Sequence, residues 1–184
     1  MLALVLIVAG LGLAGYSIFG ESPPVRQAVS AAKGDETPAA QVGDPTLKLT
    51  VPKMARVVDL PVYDSPEGDE TALDKSAMHL QGTGFPWESG SNVYIAGHRM
   101  GFPGTQSFLV FYDLDKLEEG DDVYLTDANG TKYSYKVFRK FVASPDAYQV
   151  TQPVPGKSVV SLQTCTLPDY TQRLIVQAEM TQAA

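Results

Sequence analysis

The feature that most restricts the fold is a two-residue alternation of apolar and polar side chains in short runs. It occurs in residues 47–51, in 123–126 and, over a longer stretch, in 133–141. Successive side chains of a β-strand point to opposite faces, so this period predicts strands with one buried face. The 16 Gly and 13 Pro residues supply the many turns that short strands need. The chain is therefore expected to be mainly β.

A hairpin is the most specific local prediction. Asn129-Gly130 lies between the second and third alternating runs. Both residues of this dipeptide tolerate the positive φ that a type I′ turn requires. We therefore predict a β-hairpin over Asp122–Val142 with a type I′ turn at Asn129-Gly130.

Three more short runs add to the strand pattern. Residues 93–96, 159–162 and 174–176 are rich in β-branched side chains and are bounded by turn residues. Helical periodicity is limited to Thr71–Leu80 and to the stretch Thr105–Leu117. Together these runs predict a small, mainly antiparallel β-barrel of about seven or eight strands with one or two short helices.

The chain begins with an uncharged segment. Residues 1–20 carry no charged side chain, and 2–13 consist of Leu, Val, Ile, Ala and Gly. As a helix, this segment would be about 30 Å long, which matches the hydrocarbon core of a bilayer. A cleavable signal peptide is the alternative, but no compact small-residue cleavage site follows directly. We expect a retained N-terminal transmembrane helix over 1–20, although no Lys or Arg precedes it.

Composition sets the remaining boundaries and excludes one class of partner. Residues 21–46 are rich in Pro, Ala, Ser and Gly without an apolar period, so we expect a flexible linker there. The folded domain is then expected at 47–184. The chain carries 14 Lys and Arg against 21 Asp and Glu, a net charge of −7. Because binding to a phosphate backbone needs a basic surface, no nucleic-acid partner is expected.

Three side chains are candidates for chemistry. Cys165 is the only cysteine, so the sequence offers neither an intrachain disulfide nor a cysteine-based zinc site. A thiol acts as a nucleophile in its thiolate form, commonly beside an imidazole or a cation. Of the two histidines, His98 follows the predicted strand 93–96. Cys165 follows another predicted strand and Arg173 opens the next, so antiparallel pairing would bring both to one end of the barrel.

Each of these residues also has a structural interpretation. Cys165 can be a small core residue, and His98 with Arg99 can end a strand. Arg173 can pair with Asp169 at the surface. Only the joint pattern favours catalysis: a strand ending in Gly-His-Arg, a later strand ending in Leu-x-Thr-Cys, and an Arg opening the strand after it.

This joint pattern resembles the signature of the sortases, the cysteine transpeptidases that anchor surface proteins in Gram-positive bacteria. It is carried by Ile95–Arg99, Ser161–Thr166 and Arg173. Two further stretches are similar to the family: His79–Pro86 to its His-x-x-Gly-Thr-x-x-Pro motif, and Leu117–Asp121 to its Leu-x-x-Gly-Asp motif. The resemblance extends over most of the predicted domain.

The resemblance implies an all-β fold, a closed eight-stranded sortase-type barrel preceded by the membrane anchor. It implies Cys165 as the nucleophile, His98 as the acid/base and Arg173 as the stabiliser of substrate and oxyanion. Thr164 is expected to line the substrate-binding site in the family pattern. For His79 two expectations stand, contact with substrate near the cleft or a partly exposed position at the end of the short helix.

The implied reaction cleaves an LPXTG- or LAXTG-like sorting signal after its Thr through a thioacyl intermediate. The expected partners are sorting-signal peptides of secreted surface proteins, an amine of a peptidoglycan precursor or a pilin Lys, and the membrane. The catalytic domain is expected outside the cell on a single-pass anchor. No cofactor is expected. The acidic stretch 113–122 can attract calcium, as in some sortases, but its spacing is not that of an EF-hand, which favours a solvated face.

Subclass and rival functions stay open at this level. The short turn between Cys165 and Arg173 and the lack of an Asp-Pro-aromatic lid motif resemble class E sortases, with class D possible, more than the pilin-polymerising class C. An L,D-transpeptidase is disfavoured because no Ser-His-Gly-Cys sequence surrounds the cysteine, and a papain-like protease because its Cys precedes its His. The non-enzymatic alternative is an anchored β-barrel module with a structural Cys165.

Overall fold

The computed structural model describes residues 46–184, in which the chain forms eight strands and three short helical segments. In chain order the strands are β1 (Leu47–Thr50), β2 (Leu60–Ser65), β3 (Ala77–Leu80), β4 (Asn92–Ala96), β5 (Asp122–Asp127), β6 (Lys132–Ala143), β7 (Val159–Cys165) and β8 (Arg173–Ala183). The helical segments are the α-helix α1 (Thr71–Lys75) and two 3₁₀ turns (Leu114–Lys116 and Tyr148–Thr151).

The strands close into one barrel in the order β1-β2-β3-β4-β7-β8-β6-β5. The pairs β2–β3 and β4–β7 are parallel, and the other six pairs are antiparallel. Closure leaves no strand with an unpaired edge. The prediction of an all-β, mainly antiparallel, eight-stranded closed barrel is confirmed.

The apolar side of each strand fills the interior of the barrel. Leu47 and Leu49 of β1 and Val123 and Leu125 of β5 have no exposed surface, and Tyr135 of β6 packs in the same cluster. Burial of one large apolar side chain stabilises a fold by about 1.5–3 kcal/mol. The alternation seen in the sequence therefore supplies the apolar inner face of the barrel.

The predicted hairpin is confirmed as β5 and β6, but its turn is different. Gly130 alone in the turn has a positive φ, at 86°, so the predicted type I′ conformation at Asn129-Gly130 is wrong. The Gly130 N–H donates to the Asp127 carbonyl at 3.0 Å, and the Asp127 N–H donates to the Thr131 carbonyl at 3.1 Å. This pattern is a type I turn followed by a left-handed glycine. The Asp127 carboxylate favours it by accepting from the N–H groups of Asn129 and Thr131, both at 2.9 Å.

The predicted helix over Thr71–Leu80 is correct only in its first half. The helix α1 ends at Lys75, and Ala77–Leu80 forms β3 instead. This strand pairs in parallel with β2 and antiparallel with β4. A short apolar run does not distinguish a helix from a buried strand, so the hydrogen bonds offered by two neighbouring strands decide its conformation.

The second predicted helix, Thr105–Leu117, is wrong apart from a single 3₁₀ turn near its end. Leu109 has a positive φ of 55°, which interrupts any helix. Its N–H donates to the Met100 carbonyl at 2.8 Å, and the Phe111 N–H donates to the His98 carbonyl at 3.1 Å. These bonds tie the segment to the stretch that follows β4, so its backbone donors are satisfied outside a helix.

In the described part of the chain, no helix combines the length and the hydropathy needed to cross a bilayer. The predicted transmembrane helix at 1–20 lies outside the described residues, as does the predicted linker apart from Thr46. The strand β1 begins at Leu47, where we place the start of the folded domain.

Candidate active site

The pairing of β7 with β8 brings together two of the predicted catalytic residues. Cys165 is the last residue of β7, Arg173 is the first of β8, and the two are directly opposed in the antiparallel register. Residues opposed in this way have Cβ atoms about 4.5–5.5 Å apart. Cys165 is partly exposed and its thiol is free. The sheet therefore places Arg173 directly opposite a partly exposed residue with a free thiol.

The turn between β7 and β8 is closed by its own hydrogen bonds. The Thr166 N–H donates to the Gln172 carbonyl at 3.0 Å, and the Tyr170 N–H donates to the Thr166 carbonyl at 3.1 Å. The Gln172 N–H also donates to the Thr166 hydroxyl at 3.2 Å. These bonds continue the strand register past Cys165, so the turn holds Cys165 and Arg173 in place.

His98 reaches the same end of the barrel by a different route. The strand β4 runs parallel to β7, with Ala96 opposite Gln163, and the Gly97 N–H donates to the Gln163 carbonyl at 2.9 Å. Parallel neighbours end at the same edge of a sheet, so His98 and Cys165 leave the barrel side by side. These registers bring the backbone of His98, Cys165 and Arg173 to the same end of the barrel.

The His98 imidazole is held by packing and keeps a free nitrogen. Its ring packs against the Phe102 ring in a T-shaped arrangement, with the ring centroids 5.5 Å apart. The Nε2 atom is buried and has no hydrogen-bond partner among residues 46–184. The nearest carboxylate that approaches it, Asp74 of α1, lies 3.8 Å away. The nitrogen is therefore available to exchange a proton with a bound substrate.

Gly97 is required by the packing beneath it. A Cβ atom at this position would lie 2.7 Å from Cδ2 of the Phe111 ring, which is too close for any side chain. Phe111 is fully buried in the barrel core. The absence of a side chain at Gly97 thus lets the backbone leading to His98 pass directly over the core.

Arg99, the third residue of the Gly-His-Arg sequence, has a structural role. Its side chain is 8% exposed, and Nη2 lies 3.0 Å from Oδ1 of Asp115. The guanidinium also lies 5.6 Å from the centroid of the Tyr112 ring. Arg99 therefore fixes the segment that carries His98 to the turn around Asp115, and it does not point to Cys165.

Arg173 keeps an unneutralised charge. Its Nη1 donates to the carbonyls of Tyr170 and Gln172, both at 3.3 Å. No carboxylate in residues 46–184 forms an ion pair with it, so the alternative pairing with Asp169 is wrong. The two carbonyl bonds orient the guanidinium and leave its charge available for an anion at the site.

Two further residues of this site escaped the sequence analysis. The Tyr94 hydroxyl of β4 donates to the Gln163 side-chain oxygen of β7. Burial raises the pKa of the Tyr94 hydroxyl, and the nearby positive charge of Arg173 partly opposes that rise. Both Tyr94 and Gln163 alternate with core residues of their strands, and this alternation is the signal that would have placed them on the outer face near Cys165.

A groove of about 340 Å³ lies on this outer face, and Arg173 is one of the residues that line it. One wall is formed by residues 67–70 and by Leu73 of α1, and the other by the loop that follows β6. Its floor includes Tyr94, Ala96 and Gln163, and Arg173 lies at its end. Ala96 is two residues before His98 and Gln163 two before Cys165, so a chain lying in the groove would reach both.

Thr164 lies beneath the site. It is 1% exposed, and its hydroxyl has no partner within the described residues. On β7 it follows the core residues Val160 and Leu162 at a spacing of two, which turns its side chain towards the barrel interior. The structure therefore places Thr164 on the opposite face of the strand from Cys165, and the expectation that it lines the groove is not met.

His79 is a buried strand residue of β3, so the expectation of a partly exposed helix-end position is wrong. Its Nδ1 lies 2.7 Å from Oδ1 of Asp64, and its Nε2 lies 3.1 Å from both the Gly84 carbonyl and the Thr83 hydroxyl. The ring also packs against Phe85 at 4.5 Å between centroids. The ring has no exposed surface for substrate, and its contacts fix the segment that follows β3.

The acidic stretch 113–122 is engaged by cations of the chain itself. Lys53 lies 2.9 Å from Asp121 and 3.3 Å from Glu118, and Lys116 lies 2.7 Å from Asp113. Within residues 46–184 no group of three His, Cys, Asp or Glu side chains has a metal-binding arrangement. The stretch is a salt-bridged surface in this structure.

Comparison with known proteins agrees with the geometry. A family model described as Sortase domain matches residues 49–181. Sortase A of Bacillus anthracis is 28% identical over 164 residues, which cover 83% of this chain and 70% of that protein. Sortase A of Streptococcus agalactiae is 38% identical over 91 residues, which cover 49% of this chain and 36% of that protein. The chain thus spans about a third of the length of that relative.

Solved structures show the same barrel. Sortase A from Corynebacterium diphtheriae superposes with a TM-score of 0.65 at 26% identity, covering 77% of this chain and 63% of that one. Sortase C2 of Group B Streptococcus Pilus Island 1 gives a TM-score of 0.65 at 30% identity, covering 76% and 74%. With the family match over most of the folded domain and the Cys–His–Arg arrangement at the barrel end, the chain belongs to the sortase family.

Proposed function

We propose that this protein is a cysteine transpeptidase that cleaves a sorting signal of the LPXTG or LAXTG type and transfers the product to an amine. Cys165 is the nucleophile, His98 the acid/base and Arg173 the stabiliser of the oxyanion. The observation that carries the proposal is the convergence of these three side chains through the β4–β7 and β7–β8 registers.

The proposed chemistry begins with attack of the Cys165 thiolate on the carbonyl carbon of the signal's Thr. The tetrahedral oxyanion forms near the guanidinium of Arg173, which donates to it. The C–N bond then breaks, and protonated His98 gives its proton to the departing amine. A thioester between Cys165 and the Thr acyl group remains, and His98 is neutral.

The second half of the reaction restores the enzyme. An acceptor amine attacks the thioester carbonyl, and neutral His98 removes a proton from it as the new amide bond forms. The thiolate of Cys165 is released, and His98 is again protonated. When water replaces the amine, the same steps yield hydrolysis.

The groove supports an extended apolar peptide as substrate. Ala72, Met78 and Ala96 form a small apolar cluster with Leu73 and Leu80 against it. Met78, Leu73, Leu80 and Ala96 all line the groove. This cluster suits the Leu of a sorting signal, whereas Gln163 and Arg173 lie where its Thr would reach Cys165.

The setting of the enzyme is part of the same proposal. We infer that residues 1–20 anchor the chain in the membrane and that the catalytic domain works outside the cell. The acceptor is then an amine of a peptidoglycan precursor. A pilin Lys is the second candidate acceptor, because structural neighbours at the same TM-score include sortases whose names refer to a pilus. A class E character, with class D as the alternative, belongs to this proposal too.

The proposal is tested with the purified full-length protein and fluorogenic LPXTG and LAXTG peptides, each with and without an amine. Triglycine serves as the mimic of a peptidoglycan amine, and a pilin-motif peptide with one Lys serves as the other acceptor. We expect cleavage between Thr and Gly and an amide product with one acceptor. Cys165→Ala is the matched control and should show neither reaction.

One further result separates the enzyme from a non-enzymatic barrel module. A methanethiosulfonate reagent should label Cys165 rapidly in the native protein, because a catalytic thiol must be reachable from the groove. A structural thiol would react only after unfolding. The proposal would be overturned if the folded protein cleaved neither peptide and its Cys165 also resisted labelling.

A further inference from the structure

A continuous line of four polar side chains crosses the outer face of the barrel. Nε of Arg139 on β6 donates to Oε1 of Gln177 on β8 at 2.5 Å. Nε2 of Gln177 donates to Oγ of Ser161 on β7 at 2.8 Å, and Ser161 donates to Oδ1 of Asn92 on β4 at 2.7 Å. We name Arg139, Gln177, Ser161 and Asn92 the polar chain. It crosses four neighbouring strands of the barrel.

Three members of the polar chain are almost fully buried. Asn92 is 1% exposed, Ser161 0% and Gln177 1%. Buried polar groups of this kind destabilise a fold unless each one is hydrogen-bonded, and an apolar side chain would fill the same space more simply. A function of the polar chain is therefore expected at the group that its last member, Asn92, binds.

The polar chain ends on the backbone of the loop after β6. Both hydrogens of the Asn92 amide are used, one on the Val150 carbonyl at 3.0 Å and one on the Gln152 carbonyl at 2.9 Å. Carbonyls only accept, so the amide nitrogen of Asn92 must face the loop and its oxygen must face Ser161. That orientation requires Ser161 to donate to Asn92 and to accept from Gln177. The direction of every bond in the polar chain is thus fixed.

Among the residues that the structure describes, these two bonds are the loop's only hydrogen bonds to the barrel. Within the described structure, every other hydrogen bond of residues 144–156 joins two positions of the same loop or its immediate continuation at Lys157. Examples are the Val150 N–H to the Ala147 carbonyl and the Gln152 N–H to the Gln149 carbonyl. The loop is internally bonded, and within residues 46–184 the Asn92 amide is its single hydrogen-bonding contact with the barrel.

The tethered segment forms one wall of the active-site groove. Ala147, Tyr148, Val150 and Thr151 all line it, opposite the wall that precedes and includes α1. Tyr148 is 64% exposed, so packing holds the outer part of this wall only weakly. The distance between the two walls consequently depends on where Asn92 holds the backbone at 150–152.

We propose that Asn92, oriented by Ser161, Gln177 and Arg139, is a positioning residue that sets the width of the groove and thereby the affinity for the sorting signal. This inference rests on the proposed function for its substrate. It assigns to the polar chain a role in binding, separate from bond cleavage, because none of its four side chains lies at the Cys165 end of the barrel.

The test is Asn92→Asp, which keeps the shape of the side chain but replaces the donating NH₂ by an oxygen facing two carbonyls. In the full-length protein we expect hydrogen exchange of residues 144–156 to rise about tenfold or more while exchange in β7 stays within twofold. We expect KM for the cleaved peptide to rise about tenfold, with kcat and the labelling rate of Cys165 within twofold. Tyr133→Phe, which loses one hydrogen bond to Asp127 in the β5–β6 hairpin, is the matched control. It should change neither the hydrogen exchange of residues 144–156 nor KM.

Unchanged exchange of the loop in folded Asn92→Asp would overturn the inference, as would a fall in kcat with KM unchanged. If Asn92→Asp does not fold, Ser161→Ala serves as the second variant, because it removes the group that orients Asn92. We expect a smaller rise in the hydrogen exchange of residues 144–156 and in KM. If neither rises, the inference is overturned. Hydrogen exchange needs no substrate. A wild-type protein that cleaves no peptide would therefore contradict the proposed function while the exchange result still decides this inference.

Discussion

Cys165 and Arg173 are direct cross-strand neighbours in the antiparallel pair of β7 and β8. Their proximity is therefore a property of the sheet and not of a mobile loop. His98 joins them because β4 lies parallel to β7 on its other side. Cys165 and Arg173 thus lie at the ends of β7 and β8, and His98 lies two residues after the neighbouring strand β4 of the same closed barrel.

Arg173→Lys tests the role of the guanidinium fork. Lysine keeps the positive charge but loses the planar set of donors that Arg173 directs at the site. We expect kcat/KM for the peptide to fall about 10²-fold or more, as with loss of an oxyanion donor. Stopped-time peptide cleavage measures the effect, and the urea midpoint should stay close to that of the wild type. A fall in kcat/KM of less than threefold would show that a positive charge alone stabilises the oxyanion and that the planar donor geometry of Arg173 is not needed.

Gly97→Ala tests the packing that carries His98 over the core. The new Cβ would lie 2.7 Å from the Phe111 ring, so the backbone or the ring must move. We expect the free energy of unfolding to fall by about 1–3 kcal/mol, the usual cost of overpacking. Urea denaturation followed by fluorescence measures the change.

A double-mutant cycle supplies the control for that substitution. Phe111→Leu shortens the group beneath Gly97, so Gly97→Ala should destabilise the Phe111→Leu protein less than the wild type. Equal destabilisation in both backgrounds would contradict a direct clash between the two residues.

His79→Ala distinguishes a structural histidine from one that contacts substrate. The substitution removes the bonds to Asp64, Thr83 and Gly84 from a fully buried position. We expect a loss of about 2 kcal/mol or more in the free energy of unfolding, from the cavity and from unpaired polar groups. Labelling of Cys165 in the folded protein should be unchanged. An unaltered urea midpoint together with a raised KM would instead favour substrate contact.

Alkaline pH should destabilise the barrel through buried tyrosines. Burial, aided by the neighbouring Asp127, raises the pKa of Tyr133 to about 12, above its ordinary value of 10.0. Between these values the unfolded chain loses the proton while the folded chain keeps it, so stability falls as pH rises from about 10 to about 12. Burial also raises the pKa of Tyr94 and of Tyr135, which adds to the effect.

The urea midpoint measured in steps from pH 9 to pH 11.5 checks this prediction. Tyr133→Phe should reduce the slope above pH 10, because that residue no longer has a proton to retain. Absorbance titration at the tyrosinate band should show the buried groups ionising last. A midpoint that is flat above pH 10, or a slope identical in Tyr133→Phe, would contradict the account.

The sequence predicts six of the eight strands because their signal is local; β2 is not predicted, and β3 is predicted as part of a helix. Alternation in 123–126 and 133–141 gives the β5–β6 hairpin, and the short stretch between Cys165 and Arg173 gives their pairing. The turn at Asn129-Gly130 differs from the predicted type I′ turn because the Asp127 carboxylate accepts hydrogen bonds from two backbone N–H groups there. A prediction from the Asn-Gly dipeptide alone does not take this carboxylate into account.

Other features depend on partners distant along the chain. Ala77–Leu80 becomes a strand because β2 and β4 offer it hydrogen bonds, and His79 is buried for the same reason. Thr164 faces inward because Cys165 faces outward, a consequence of the pleat that the family pattern alone does not state. The tether of Asn92 joins residues about sixty positions apart, which no local pattern reveals.

The central claim is that Cys165 forms a thioester with the Thr acyl group of a sorting signal. Intact-mass analysis of the full-length protein during turnover of LPXTG and LAXTG peptides tests it directly. We predict a mass increase equal to the Thr-terminated peptide fragment less one water, located on Cys165, removed by hydroxylamine and absent in Cys165→Ala. Peptide cleavage that persists in Cys165→Ala, or a folded wild-type protein with a reactive thiol and no adduct from either peptide, would contradict the claim.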